Sequence, residues 1–146
     1  MKKHEELKME AAVLICQRNE AIDGTAEHYN SNNRAVNDRS HKCQYITKDG
    51  QRCAIGRLVD ESLATAMEAD SGVISGPRLL AMLPPEIRGL GRAFLRDLQL
   101  LHDRCENWTV NGLSRQGELR VNVLKFRYCD PIGVQSEIVS GDRWKD

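Results

Sequence analysis

The chain is poor in aromatic residues, which fill 5% of its 146 positions. That scarcity removes the stacking platform on which single-stranded nucleic acid would be held. It has no excess of either charge: 21 Lys and Arg balance 21 Asp and Glu, which argues against a protein that coats nucleic acid through bulk electrostatics. It lacks any apolar run near the ~20 residues of a membrane-spanning helix. Its opening Met1-Lys-Lys-His-Glu-Glu holds no apolar signal core, so a cytoplasmic location without membrane association is the expectation. Cysteine pairing is also missing. Cys16, Cys43, Cys53, Cys105 and Cys129 are an odd set without close pairs, which reads as free thiols packed as small hydrophobes and not as a disulfide framework. No internal repeat is visible.

What is present is an ordinary globular composition, 40% hydrophobic and 29% charged. A chain of this length fits one domain able to bury roughly 70% of its unfolded surface. The charge is unevenly placed. Asp60, Glu61, Glu68 and Asp70 cluster in one segment, while residues 78–127 hold nine Arg or Lys against five Asp or Glu. Arginines outnumber lysines fourteen to seven, and Arg is the side chain suited to planar, bidentate contact with carboxylate or phosphate.

Leu7, Ala11, Leu14, Ile15 and Ile22 fall at helical spacing and predict a helix over 4–21, with Lys8, Glu10, Gln17 and Arg18 on its wet side and Asp23-Gly24 ending it. Residues 24–42 are polar and Asn-rich and read as a long loop. A β-hairpin is expected over 43–56: Tyr45-Ile-Thr favours strand, Asp49-Gly50 is a turn signal and Cys53-Ala-Ile supplies the return. A two-residue turn would pair Ile46 with Cys53. A three-residue loop with left-handed Gly50 would instead set Cys43 and Cys53 on one face, and both registers stay open. Asp60 is a plausible N-cap for an acidic helix burying Leu63, Ala66 and Met67. After the Ser71–Gly76 break, Pro77 can open a further turn through Leu79, Leu80 and Leu83. Ile87, Leu90, Phe94, Leu98, Leu101 and Cys105 then make one apolar stripe on a helix from Pro85 to Cys105, with Arg88, Arg92 and Arg96 as a ladder on another face, so that 60–105 is helical in the main. Residues 114–129 fit helix or strand, helix through Leu119, Val123 and Phe126 being favoured, and 130–146 read as an irregular tail. The fold class expected is α+β: a mainly helical single domain with one hairpin packed on a central amphipathic helix.

The run Cys43-x-Tyr-x-x-x-Asp-Gly-x-x-Cys-Ala-Ile-Gly-x-Leu-x-Asp60, followed by Leu98-Gln-Leu-Leu-His-Asp103 and Trp108, resembles a group of small proteins found in bacteriophages, prophages and bacterial genomes. The likeness covers roughly residues 40–110. It implies a setting and no reaction. Members frequently carry a further cysteine where this chain has Arg57.

Several constellations could carry chemistry. Cys43, Cys53, His102 and Cys105 are a conceivable zinc set, against a hairpin that simply buries its thiols. The adjacent His102-Asp103 is the kernel of a hydrolase reading, against a histidine packed at the core edge. A thiolate of Cys43 or Cys53 activated by His41 or His102 has no nucleophile motif behind it. Ser75-Gly76-Pro77-Arg78 at a helix start and the ladder could hold an anion.

The leading expectation is a non-enzymatic binding or inhibitory module of phage or mobile-element type. It would act on a host protein, host-defence antagonism included, or sequester a nucleotide-like anion, without a cofactor. For an anion the residues chosen are Arg78, Arg88, Arg92 and Arg96, with Tyr29 and Arg34 from the polar loop. The alternatives are an enzyme acting on a phosphorylated or nucleotide substrate at His102 and Asp103, and a zinc-stapled adaptor. Direct nucleic-acid binding is disfavoured, and self-association is left open.

Overall fold

In a computed structural model, which describes residues 3–35, 44–70, 81–141 and 143, the first helix, α1, spans His4–His28. It runs past the expected stop at Asp23-Gly24, and Gly24 lies within it against Arg57, where a Cβ would meet Nη1 at 2.8 Å. The loop that follows is accordingly shorter than expected at its start. Its asparagines build it, Asn30 Oδ1 accepting from the Asn32 and Asn33 amides while Asn33 Nδ2 donates to the terminal carbonyl of His28.

Among the described residues the architecture is mainly helical α+β, with α2 (Glu61–Asp70), α3 (Pro85–Arg88), α4 (Arg92–Asp103), α5 (Arg115–Tyr128) and α6 (Pro131–Ser140) after α1, and one antiparallel pair, β1 (Trp108–Thr109) with β2 (Gly112–Leu113). No helix among them is long and apolar enough to cross a membrane. The core gathers Leu14 and Ile22 of α1, Met67 of α2, Phe94, Leu95 and Leu98 of α4, Leu124 of α5 and Val134 of α6.

The regular strand pair is not the one expected. It joins Trp108 to Leu113 and Thr109 to Gly112 around Val110-Asn111. At 44–56 the chain does turn back, yet with a single bridge among the described residues, Ile46 to Arg52. The Thr47 amide donates to Gln51 O at 2.8 Å, the Gly50 amide to Thr47 O at 3.0 Å, and Gly50 takes φ 83°. This is the three-residue loop with a left-handed glycine. The ladder stops because the return arm winds into a 3₁₀ turn, Gly56–Leu58. That turn presses Gly56 against the Tyr45 carbonyl, where a side chain has no room. The arm docks on α4 through buried Cys53, Ala54 and Ile55, the Ile55 amide donating to Gln99 Oε1 at 3.2 Å. Cys43 lies outside the described residues.

Three further expectations need correction. Arg18 is not on the wet side of α1. It is 1% exposed, at the centre of the core, with Nε on Leu90 O, Nη1 on Tyr128 O and a bidentate pair to Glu137. The expected Pro85–Cys105 helix is broken at Gly89–Gly91, because Gly91 takes φ 102° and passes beside Arg18 Nη2, and it ends at Asp103, leaving Cys105 exposed on a 3₁₀ turn. The expected irregular tail is helix from Pro131. Pro131 starts α6 at a position where its missing N–H costs nothing; Asp130 Oδ2 caps the Gly133 amide, and left-handed Gly141 closes the helix.

Asp60 does cap α2, its Oδ1 accepting from the Leu63 amide at 2.8 Å, although Ala64 takes the buried place expected of Ala66, which is exposed. The segment 114–129 forms helix and not strand, Arg115–Tyr128 with Ser114 as N-cap.

Candidate functional site

The C-terminal end of α4 brings together residues that the sequence offered for different roles. His102 is fully buried, and its Nδ1 lies 3.0 Å from Asp103 Oδ1. A carboxylate acceptor there holds the proton on Nδ1 and leaves Nε2 as a bare acceptor. Asp103 Oδ1 also accepts from Gln99 Nε2 at 2.6 Å, so one carboxylate ties the imidazole to the residue that receives the hairpin. Burial lowers the His102 pKa, with Asp103 opposing the shift, so the ring is neutral near pH 7.

Tyr29 packs edge-on against His102 at 4.8 Å and against Trp108 at 6.0 Å, and burial raises its phenol pKa. Arg34 Nη1 donates to the carbonyls of His102 and Asp103 at 2.7 and 3.1 Å, and Trp108 Nε1 donates to those of Leu101 and His102. Arg34 is thus spent on the orphan carbonyls that end α4. Tyr29 Oη, Arg34 Nε, His102 Nε2 and Asn107 Oδ1 are buried without a hydrogen-bond partner among the described residues. The His102 imidazole has no exposed surface, and the Cys53 thiol is likewise buried. Burial pushes that thiol up to about 12, against the opposing Gly56 amide.

The other candidates do not assemble. Arg88 sits on α3, Arg92 and Arg96 on α4, so the break at Gly89–Gly91 ends the ladder, and Arg96 lies 3.7 Å from Asp97. Arg34 works at the opposite end of α4, roughly 15 Å along the helix from Arg92 at ~1.5 Å per residue. The zinc alternative fares similarly: His102 points into the core, whereas Cys105 is exposed and contacts Glu106. No group of three or more His, Cys, Asp or Glu side chains among the described residues is placed to hold a metal. Arg78 and His41 lie outside the described residues.

A different surface was missed by sequence reading. Leu119, Val123 and Phe126, read as the inward side of this helix, face solvent at 59%, 42% and 85% exposure, while Gly117, Leu124 and Tyr128 make the buried side. The spacing was sound and the side was wrong. Spacings of four and three residues line the exposed trio up as one stripe over two turns. Arg115, Arg120 and Arg127 share this outer half of α5. A groove of about 120 Å³ runs beside the stripe between α4 and α5, lined by Asp97, Leu100, Arg104, Arg120, Val123 and Arg127. Asp97 is already engaged, by Arg127 at 3.2 Å and by the Tyr128 hydroxyl. Arg120 has no ion-pair partner among the described residues.

Comparison with family models, with curated proteins and with solved structures finds no match for this chain.

Proposed function

We propose that this chain is a non-enzymatic binding module whose outer α5 face docks an acidic, amphipathic segment of a partner protein. The observation that carries the reading is the exposed stripe Leu119, Val123 and Phe126 with arginines beside it. Scattered exposed apolar residues are ordinary on any protein, but aligned ones rimmed by polar groups are the anatomy of an interaction site. Covering such side chains is worth about 1.5–3 kcal/mol each before the costs of association are met, and arginines are frequent anchors in such interfaces.

Charge selects the occupant. The outer side of helix α5 carries Arg115, Arg120 and Arg127, the last paired with Asp97, against the single acid Glu118, while Lys125 pairs with Asp23 of α1 and Arg104 at the groove with Glu106. A second copy docked α5 to α5 would set arginines against arginines. An acidic segment answers both the charge and the apolar stripe. The resemblance over residues 40–110, which does not reach α5, suggests a phage or mobile-element setting, and a host protein is the partner proposed.

The test is a photoreactive phenylalanine in place of Phe126, irradiated in the producing cell, with the cross-linked segment sequenced by mass spectrometry. An acidic amphipathic segment of another protein is the expected product. Cross-links only to a second copy of this chain, to nucleic acid, or to nothing overturn the proposal.

A further inference from the structure

Three arginines line the groove between α4 and α5, Arg104, Arg120 and Arg127, against one acid, Asp97. Arg120 and Arg127 lie seven positions apart, on one face of α5, and Arg104 follows the end of α4. Asp97 is set into the wall, held by the Tyr128 hydroxyl and by Arg127 Nη1 at 3.2 Å. Arg127 spends one nitrogen there, and a guanidinium has five N–H donors. Three cations against one anion leave the lining two positive charges in excess. Two neighbours outside the lining offset one another, Glu106 at 3.8 Å from Arg104 and Arg96 at 3.7 Å from Asp97. The excess stands.

Charge and donor geometry select the guest. A carboxylate answers one of the two excess charges, whereas a phosphate monoester carries about −1.5 to −2 near pH 7 and three acceptor oxygens. Arginine forks match phosphate bidentately. Leu100, Val123 and Leu124 make the other walls apolar, which strengthens the attraction by lowering the local dielectric. At about 120 Å³ the groove takes a head group, far short of the ~300–1,000 Å³ of pockets that enclose a whole small molecule. The carrier of the head group therefore lies outside, where the apolar stripe begins. We propose that the groove between α4 and α5 binds a phosphate monoester, borne by a phosphorylated side chain of the segment docked on α5. The source of the phosphate rests on the docking reading above, and the groove's chemistry does not.

The experiment is an NMR titration of the full chain with phenyl phosphate, following the arginine Nε–Hε cross-peaks, with benzoate as the ring-matched control. Expected are saturable shifts at Arg104, Arg120 and Arg127, with phenyl phosphate bound at least about ten-fold more tightly than benzoate. Arg104→Gln should weaken phenyl phosphate by about ten-fold, the effect of one charge-assisted hydrogen bond. Arg104 is exposed and off the α5 stripe, so the variant spares both the fold and the apolar surface. Absence of saturable shifts at these arginines, equal binding of benzoate, or undiminished binding by Arg104→Gln overturns the proposal. The cross-link at position 126 separates the two readings. A captured acidic segment that carries phosphate supports both, and one without phosphate keeps the docking site and overturns the phosphate. Saturable binding of phenyl phosphate with no segment captured supports the groove and overturns the docked segment as its source.

Discussion

Arg18 of α1 and Glu137 of α6 form a bidentate ion pair, Nη1–Oε1 at 3.1 Å and Nη2–Oε2 at 2.8 Å, with the guanidinium at the centre of the fold. The same cation faces the rings of Phe94 and Tyr128 at 5.4 and 5.5 Å and donates to two backbone carbonyls. It therefore fastens α1 to the turn before α4, to the end of α5 and to α6. Removing one partner of such a pair strands the other. Glu137→Ala and Arg18→Ala are each expected to cost about 3–5 kcal/mol, and Glu137→Gln, which keeps one of the two acceptor oxygens, about 1–3 kcal/mol. Urea unfolding of the three variants measures the order, and Arg18→Ala within 1 kcal/mol of wild type (about one typical hydrogen bond) would contradict it.

Gly91 has two reasons to be glycine. Its φ is 102°, and a Cβ would stand 3.0 Å from Arg18 Nη2. Gly141 has only the first, with φ 70° and nothing within 4 Å. Gly91→Ala is expected to destabilise by more than about 2 kcal/mol, and Gly141→Ala by about 1 kcal/mol. Denaturant midpoints of the two variants decide the ranking, and equal midpoints would count against the packing described at Arg18.

Burial lowers the His102 pKa, with Asp103 opposing. In the unfolded chain the imidazole titrates near its ordinary value of about 6.5. Below that pH the unfolded state binds a proton that the folded state does not, so stability is lost as pH falls, by at most about 1.4 kcal/mol per pH unit from this group. Between about pH 6.5 and 5, wild-type stability should fall more steeply than that of His102→Gln. Parallel pH profiles would mean that the ring is not held neutral in the fold.

The cysteines differ in access. Cys16 and Cys105 are exposed, Cys129 is half-buried with its pKa raised by burial, and Cys53 is fully buried with its thiol pushed up to about 12. Iodoacetamide at pH 7.5 should label Cys16 and Cys105 at least about a hundred times faster than Cys53, because only the thiolate reacts. Peptide mapping over a time course reads the rates. Fast labelling of Cys53 in the folded protein would reopen the thiol-enzyme reading.

Local signals in the sequence were dependable where a single cause acted. Asp60 as a cap, the apolar stripe through Phe94, Leu98 and Leu101, and Gly50 as a left-handed turn residue each rest on short-range chemistry, and each stands in the fold. Legibility was lost where a tertiary partner decides. Arg18 sits at helical spacing with Leu14 and Ile22, but only Glu137, far along the chain, explains a cation in that stripe. Gly24 reads as a helix stop until Arg57 is seen packed on it. In α5, apolar residues on both faces blur the period on which the choice between helix and strand depends, and nothing local says which face is inside. Asn111-Gly112 and Asp130-Pro131 were turn and cap signals present in the sequence, marking the strand pair and α6. The polar cluster was half legible: Tyr29, Arg34, His102 and Asp103 were all singled out, for separate roles, and the fold brings them to the same place.

The central claim is that the outer face of α5 recognises an acidic partner. Its most direct test is the cross-link yield from a photoreactive residue at position 126, compared between the otherwise native chain and Arg120→Glu. Arg120 is exposed and has no ion-pair partner among the described residues, so reversing its charge should leave stability within about 0.5 kcal/mol. The account expects the yield of the acidic cross-linked segment to drop at least about ten-fold, the effect of losing ~1.4 kcal/mol of binding. An undiminished yield, at unchanged stability, would contradict it.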